Sequence, residues 1–367
     1  MIANFVTWTV RPEVFSVEKV HLSKEWLMIG VALCVVWFVV DRVLQSRAKR
    51  NWVRNGSKPS EKPESDWLGA IVSIGLAVWL FSLQASHPDG VTFGPVAVRW
   101  YGLMFLIGFI VGYRIVWHIF RHEGVPESWL PTLLIYVAVA TIVGARLGHC
   151  FFYEWDYYSA HPEKILAFWE GGLASHGGTI AIIIAVFIYS KLVTHRSALW
   201  TFDRLVIAIA LVGCLIRLGN LFNSEIFGHA TTLPWGFKYP LSREWQTLYG
   251  PSAEYPEGQA CHPTQIYEAA CYLALFCLLM WMYWKKNAEE RPGLILGTFF
   301  IGIFLPRVII EFVKNPQEEF EQGMLLNMGQ LLSVPFVLAG ILLIYYAMTR
   351  PKVPLSFPNK FAEENKK

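Results

Sequence analysis

Charged residues are scarce in this chain. They make up 16% of its 367 residues, whereas hydrophobic residues make up 54%; ordinary soluble domains carry about 25% charged residues. This composition excludes a typical soluble domain and indicates a membrane protein. The net charge of +3 is too small to indicate a nucleic-acid partner.

Metal-binding and disulfide patterns are also missing. The six cysteines form no CxxC or other metal-ligand spacing, and five of them lie in apolar runs, where free cysteine behaves as a small hydrophobe. We therefore expect no disulfide framework, no metal and no cofactor. The first residues lack a basic segment followed by an apolar core, so we expect no cleavable signal peptide. We find no internal repeat of the kind that marks many transporters.

What the chain does contain is a series of long apolar stretches. A spanning helix needs about twenty mostly apolar residues, and the sequence predicts an all-α, polytopic membrane bundle of about nine helices. The predicted spans are 25–42, 67–85, 99–120, 130–152, 176–193, 203–222, 265–284, 293–313 and 328–348.

The distribution of Lys and Arg predicts the orientation of this bundle. Most Lys and Arg residues fall in every second connecting segment. Segments rich in Lys and Arg normally lie inside the cell. This bias favours an N-terminus outside and a C-terminus inside. The basic, Pro- and Ser-containing segment 47–66 then becomes an inside loop, which we expect to be flexible.

Ionisable residues follow two of the apolar runs. LVIAIALVGCLI leads into Arg217 and Glu225, and GLILGTFFIGIFLP leads into Arg307 and Glu311. A charge at the centre of a membrane helix costs about 2.5–3.5 kcal/mol, so it is retained mainly where it pairs, lines a wet cavity or binds a ligand. In the predicted orientation both sets lie on the outer side, which makes that side the candidate site.

The two arginines suit a phosphate ligand. Arg217 shares a helical face with Asn220, and Arg307 is spaced to pair with Glu311. A planar guanidinium grips phosphate oxygens with two parallel hydrogen bonds. Simple neutralisation of each Arg–Glu pair would explain one set, but two sets on one membrane face favour a phosphate site.

A glycine-rich segment, GGLASHGG, opens the fifth span. Such a turn before a helix presents free N–H groups to an anion, and His176 can accept a proton near neutral pH. Close packing through small residues is the alternative reading of Gly177 and Gly178. The histidine favours a functional role.

Two further motifs leave alternatives open. In HPTQIYE, His262 either caps a helix or belongs to the site, and Gln265 and Glu268 share a helical face. Arg146, near the end of the fourth span, is either a third phosphate contact or the structural partner of an ion pair.

Together these motifs resemble the prolipoprotein diacylglyceryl transferases of bacterial inner membranes. The resemblance covers about residues 90–348, in the family's order. It is carried by VRWYGLMFLIGF, GARLGHCFFY, GGLASHGG, RLGNLFNSEIFG, HPTQIYE, RPGLILGTFFIGIF, RVIIEFVKNPQ and NMGQLLSVPFVLAG.

The resemblance implies transfer of the diacylglyceryl group of phosphatidylglycerol to the lipobox cysteine of a prolipoprotein, with glycerol phosphate released. The partners would be phosphatidylglycerol, the prolipoprotein signal peptide and membrane lipids. The protein would lie in the inner membrane, its site facing outward. The alternative functions are a lipid or anion transporter and a non-catalytic assembly protein. The charges cluster on one membrane face and the chain has no evident repeat, so the sequence favours an enzyme over a transporter.

Site residues follow by position in the motifs. His176 would be the base for the thiol, and Arg217 and Arg307 would hold the head group. The implied catalytic residues are His176, Arg217, Arg307 and Glu225. Those implied to bind phosphatidylglycerol are Arg217, Asn220, Arg307, Tyr101, Gly177, Gly178 and Arg146. Supporting residues would be Glu311, Gly228, His262, Gln265 and Glu268.

This chain departs from the family pattern in two ways. An N-terminal extension, 1–90, adds two spans and a basic loop before the transferase core of seven spans, 91–348, and a tail, 349–367, follows. In addition, Ile303 stands where the family often has tyrosine, and Pro306 directly precedes Arg307.

Overall fold

The computed structural model describes residues 6–17, 20–54, 73–78, 80–82, 91–93, 96–166, 172, 174–243, 245, 260–315 and 326–353. Within these ranges the chain is mostly helical. The helices are α1 (Lys24–Arg54), α2 (Ser73–Ser82), α3 (Trp100–His122), α4 (Trp129–Phe152), α5 (Trp155–Ala160), α6 (Ser175–Tyr189), α7 (Ala198–Phe222), α8 (Thr264–Lys286), α9 (Leu294–Ile310) and α10 (Met328–Thr349).

Helices long and apolar enough to cross a bilayer number eight in the described part of the chain. This confirms the prediction of an all-α, polytopic membrane protein. The second predicted span, 67–85, lies partly outside the described residues, and α2 covers its middle. The count of nine and the orientation therefore stay predictions.

Several boundaries differ from those predicted. Helix α1 continues to Arg54, so the first part of the predicted loop 47–66 is helical, and the rest lies outside the described residues. No Gly or Pro interrupts residues 43–54, which are rich in good helix formers. Helix α7 begins at Ala198 rather than at 203 because Ser197 caps it, accepting a hydrogen bond from the backbone N–H of Leu199.

The chain forms two compact units. The smaller is Glu13–Arg99, and the larger combines Met1–Pro12 with Trp100–Lys367. In the smaller unit β2 (Glu13–Val17) pairs antiparallel with β5 (Val96–Arg99), and β3 (Val20–Leu22) pairs antiparallel with β4 (Val91–Phe93). Helices α1 and α2 lie between β3 and β4 in sequence.

The larger unit also contains a small four-stranded sheet. Its strands are β1 (Val6–Thr7), β6 (Ala230–Thr231), β7 (Phe237–Lys238) and β8 (Ala260–Cys261), in the spatial order β1-β7-β8-β6. Strand β1 pairs parallel with β7, and the other pairs are antiparallel. Because β6 follows α7 and β8 precedes α8, the pairing of these two strands brings the end of α7 close to the start of α8.

Helices of the larger unit pack closely through glycine. A Cβ on Gly177 of α6 would collide with the carbonyl oxygen of Gly144 and lie 2.6 Å from the Cα of Gly148, both on α4. A Cβ on Gly297 of α9 would lie 2.8 Å from the carbonyl oxygen of Gly340 on α10. Small residues thus let backbones approach where lipid supplies no hydrophobic driving force.

Candidate active site

Arg217 and Glu268 form the centre of a buried charged cluster. Arg217 lies near the end of α7, and its Nε forms an ion pair with Glu268, in the first turns of α8. Its Nη1 donates a hydrogen bond to Asn220 Oδ1 at 3.3 Å. A buried carboxylate of this kind orients a guanidinium and leaves part of its donor edge for a ligand.

Lys314, directly after the predicted span 293–313, enlarges the cluster. Its Nζ lies 3.8 Å from Glu268 Oε1 and 3.5 Å from Glu311 Oε2, and it is 2% exposed. Burial lowers the pKa of the Lys314 ammonium, and the two carboxylates act in the opposite direction. Its spacing of three residues from Glu311, at the end of a span, was the available signal.

Arg307 is the cation of this region that has an unsatisfied donor. Its Nε is buried and has no hydrogen-bond partner among the described residues. It interacts electrostatically with Lys314 and Tyr272, which places it beside the cluster. A buried donor without a partner is costly, and a phosphate oxygen would satisfy it.

The ion pairs therefore differ from those that the sequence spacing suggested. Arg307 does not pair with Glu311, and Arg217 pairs with Glu268 rather than with Glu225, within the described part of the chain. The reason is local: α9 ends at Ile310, and Glu311 begins a 3-10 turn. There Glu311 packs against Gly329 of α10, where an added Cβ would lie 2.7 Å from its carboxyl carbon.

Glu225 is held in a strained loop after α7. Asn220 Nδ2 and Asn223 Nδ2 both donate to its Oε1, at 2.9 and 3.1 Å. Its neighbours Ser224 and Ile226 have positive φ angles of 54° and 62°. Non-glycine residues in this conformation cost free energy and persist where the surroundings impose them, often at functional sites.

Side chains of α8 hold this loop by its backbone. Gln265 Nε2 donates to the carbonyl oxygen of Glu225 at 2.7 Å, and Thr264 Oγ1 donates to that of Ile226 at 2.7 Å. Tyr239 in turn donates to Gln265 Oε1 at 3.2 Å. Gln265, predicted as a supporting residue, thus contacts the loop backbone.

Gly228 lies at the closest approach of three segments. Its N–H donates to the carbonyl oxygen of His262 at 2.8 Å, and it forms a β-bridge with Lys314. A Cβ at this position would collide with the carbonyl oxygen of Val313 and lie 2.9 Å from His262 Cβ. Only glycine fits without moving the loop that carries Glu225.

Gly228→Ala should therefore strongly lower any activity that depends on the loop carrying Glu225, while leaving the bundle folded. A misplacement of about 1 Å at a reacting group costs roughly 10²-fold in rate. Initial rates measured by mass spectrometry, with size-exclusion chromatography as the folding check, test this expectation. Gly112→Ala, whose Cβ would meet Val212 at an ordinary 3.5 Å, is the control; equal rates for both variants would contradict the steric argument.

His262 accepts a hydrogen bond from Gly228 through its backbone carbonyl oxygen, and its side chain contacts Tyr267. Its Nδ1 lies 3.3 Å from the hydroxyl oxygen of Tyr267, which accepts a hydrogen bond from Trp235 Nε1 at 2.9 Å. Burial, and secondarily His229, lower the pKa of His262. The side chain does not cap α8, whose N-cap residue is Pro263.

Tyr101 joins the cluster from the start of α3. Its ring packs against Gly219, where an added Cβ would lie 3.1 Å from Tyr101 Cδ2. It also interacts electrostatically with Glu225 and Arg217. The structure thus brings Tyr101 next to residues of α7 and the following loop.

His176 stands apart from the cluster. It lies in the first turn of α6, is exposed, and has no hydrogen bond, ion pair or ring contact with any described residue. Gly177 packs against α4 as described above, whereas a Cβ on Gly178 would meet the carbonyl oxygen of Thr141 at an ordinary contact distance of 3.6 Å. Close packing therefore accounts for Gly177.

Arg146 holds a neighbouring segment through its guanidinium. It donates to main-chain carbonyl oxygens: Nη2 to Lys164 at 2.7 Å, Nε to Ile165 at 3.0 Å and Nη1 to Gly172 at 3.4 Å. It also lies over the ring of Tyr158 at 5.1 Å. These contacts tie the segment after α5 and the start of the glycine-rich segment to α4.

The sequence of this chain is similar to those of known proteins. A sequence model described as prolipoprotein diacylglyceryl transferase matches residues 88–346. This chain belongs to the prolipoprotein diacylglyceryl transferase family. Its relatives include proteins named phosphatidylglycerol–prolipoprotein diacylglyceryl transferase from Porphyromonas gingivalis, Tolumonas auensis and Chloroherpeton thalassium, which are 55%, 44% and 40% identical to it.

These alignments cover most of each relative but leave part of this chain unmatched. They include 90%, 95% and 94% of the three relatives, against 69%, 71% and 72% of this chain. Since the family match begins at residue 88, the unmatched part includes α1 and α2. The charged cluster lies entirely within the matched diacylglyceryl transferase region.

Proposed function

We propose that this protein transfers the diacylglyceryl group of phosphatidylglycerol to the lipobox cysteine of a prolipoprotein signal peptide. The cysteine sulfur attacks the glyceryl carbon that bears the phosphate, a C–S bond forms, and the C–O bond to phosphate breaks. Glycerol phosphate leaves with the electron pair, and the thiol proton passes to a base. The observation that carries this proposal is the buried, unsatisfied Nε of Arg307 beside the Arg217 cluster.

The cluster suits the charge that develops in this reaction. Negative charge grows on the departing phosphate oxygen, and fixed donors aimed at developing charge contribute most to catalysis. Arg217 and Arg307 supply two guanidinium groups for the phosphate, and Asn220 and Tyr101 lie beside them. Glu268 orients Arg217, and Glu268 and Glu311 balance the buried charge of Lys314.

Thiol activation requires a second group. A cysteine is only a few per cent thiolate near pH 7, so a base or a positive field accelerates the attack. We assign the proton-accepting role to His176, whose exposed ring on α6 carries no competing partner among the described residues. Glu225, whose carboxylate is fixed by two asparagine amides, is the second group that we propose can accept the thiol proton.

We place the protein in the bacterial inner membrane with this cluster on the outer side. The Lys and Arg distribution supports that orientation, and secreted prolipoproteins expose their lipobox on that side. We further propose that residues 1–90 are an added two-helix domain, that 91–348 form the transferase core, and that 349–367 form an inside tail.

Reconstitution tests the proposed reaction. Purified protein in detergent, given phosphatidylglycerol and a lipobox peptide, should yield a peptide heavier by one diacylglyceryl group in a thioether linkage, detected by mass spectrometry. A peptide with serine in place of the lipobox cysteine is the control. Absence of product in several detergents and in vesicles would overturn the enzyme proposal.

His176→Gln should lower this turnover at least tenfold, a minimum set below the factor of about 10²–10⁴ that general-base catalysis contributes. The loss should shrink as the pH rises toward the thiol pKa, because the thiolate then forms without a base. Initial rates between neutral and alkaline pH measure this. His161→Gln, on an exposed histidine after α5, is the matched control; full activity at neutral pH would remove His176 as the base.

A further inference from the structure

An open groove lies where α6 passes into α7. Its volume is about 580 Å³, and its lining combines the apolar side chains Phe187 and Ile188 with the basic side chains Lys191, His195 and Arg196. None of these residues belongs to the charged cluster described above. Helix α7 runs from this groove to Arg217, a distance of about 28 Å at 1.5 Å per residue.

The groove results from an irregular end to α6. After Tyr189 the chain widens into a π-helix, Ser190–Thr194, and His195 then takes a left-handed conformation with φ of 51°. Ser190 Oγ and Thr201 Oγ1 are hydrogen-bonded at 2.9 Å, which fixes the widened turn to α7. π-Helical turns are uncommon and recur at functional sites.

The groove has an apolar part and a basic part, which match the acyl chains and the charged head group of a phospholipid. Phe187 and Ile188 are 57% and 44% exposed and belong to the apolar span His176–Thr194, so we expect lipid hydrocarbon to cover them. Lys191 and His195 follow within two turns, at the end of this span, where we expect the lipid head groups. Lys191 is exposed and has no hydrogen-bond or ion-pair partner in the described part of the chain.

Charge around the groove favours an anion. Arg196, whose guanidinium lies 5.4 Å from the Trp200 ring centre, interacts with the carboxylate of Glu123. That carboxylate is already neutralised by Arg204, whose Nε donates to it at 2.9 Å. The first N–H groups of α7, at Ala198 in the groove lining, add the positive end of a helix dipole.

We propose that this groove binds the phosphodiester head group of an anionic phospholipid, with its acyl chains along Phe187 and Ile188. The bound lipid lies at the end of the bundle opposite the charged cluster and is distinct from the lipid that is cleaved. The site therefore does not depend on the proposed reaction.

Photocrosslinking in nanodiscs tests this site. Phosphatidylglycerol with a photoreactive group in one acyl chain is irradiated with the full-length protein, and labelled peptides are mapped by mass spectrometry. We expect labelling around Phe187 and Ile188 to be about fivefold higher than with a phosphatidylcholine analogue, since one basic residue near an anionic surface contributes about that much. Equal labelling by the two lipids would overturn the proposal, and this comparison needs no variant.

Variants of the basic groove residues provide a second test of the proposed lipid site. Lys191→Gln should lower labelling by phosphatidylglycerol about fivefold, and K191Q/R196Q should lower it further. Lys285→Gln removes an exposed lysine from the last turn of α8, at the same end of the bundle, and should change nothing. Turnover of K191Q/R196Q should stay within about twofold of the unaltered protein, because the groove is about 28 Å from Arg217. Unchanged labelling in K191Q/R196Q would show ordinary annular lipid.

Discussion

Arg217→Ala should abolish thioether formation, with turnover lowered at least about 10²–10³-fold. That is the usual cost of removing one donor to a developing oxyanion. Here the loss also leaves Glu268 without its guanidinium partner at a position where its side chain is 2% exposed. Initial rates with phosphatidylglycerol and a lipobox peptide, quantified by mass spectrometry, measure the effect.

Arg217→Lys separates charge from geometry. Lysine keeps the positive charge but lacks the planar fork that grips two phosphate oxygens, so we expect partial activity, lower in both kcat and affinity for phosphatidylglycerol. Lys352→Ala is the control, because it removes an exposed ion pair with Glu290, of a kind that contributes little. Wild-type turnover in folded Arg217→Ala would contradict the assignment of Arg217 to the leaving phosphate.

Arg204→Met should destabilise the bundle by about 3–5 kcal/mol, because removing one partner leaves an uncompensated buried charge. Arg204 and Glu123 have side chains that are 1% and 0% exposed and are hydrogen-bonded at 2.9 Å. Tyr283 donates to the same Glu123 oxygen at 2.6 Å. The measurement is the free energy of unfolding of the detergent-solubilised protein.

A double variant that removes both charges tests whether the unpaired Glu123 carboxylate causes the loss of stability. E123Q/R204M removes both charges and should recover most of the lost stability, since replacing a whole buried ion pair is often neutral. Arg350→Met, the same substitution at an exposed arginine that lies over Tyr346, should have little effect. If the single and double variants are equally unstable, lost packing rather than unpaired charge explains the result.

This buried network links helices at the end of the bundle that carries the groove between α6 and α7. Arg204 also donates to the carbonyl oxygen of Glu289 at 3.3 Å. Asp203 accepts from the N–H groups of Gly293 and Leu296, at 2.7 and 2.8 Å, and so satisfies the start of α9. Arg204 lies near the start of the predicted span 203–222, where spacing alone gave no sign of a partner on another helix.

The sequence by itself determined the membrane class, most of the spans and the family. It could do so because a bilayer forces each span into about twenty apolar residues whose backbone groups bond internally, which local composition reveals. The order of the motifs from VRWYG to NMGQ then predicted the family that comparison with relatives confirms.

Tertiary structure alone decided which charges are partners. Spacing along one helix suggested Arg307 with Glu311, yet the ion pairs join Arg217 of α7 to Glu268 of α8 and bring in Lys314. The rotation and crossing of neighbouring helices set such contacts, and local periodicity does not encode them. The same reason explains why Arg146 donates to main-chain carbonyls and why Gly177 serves helix packing.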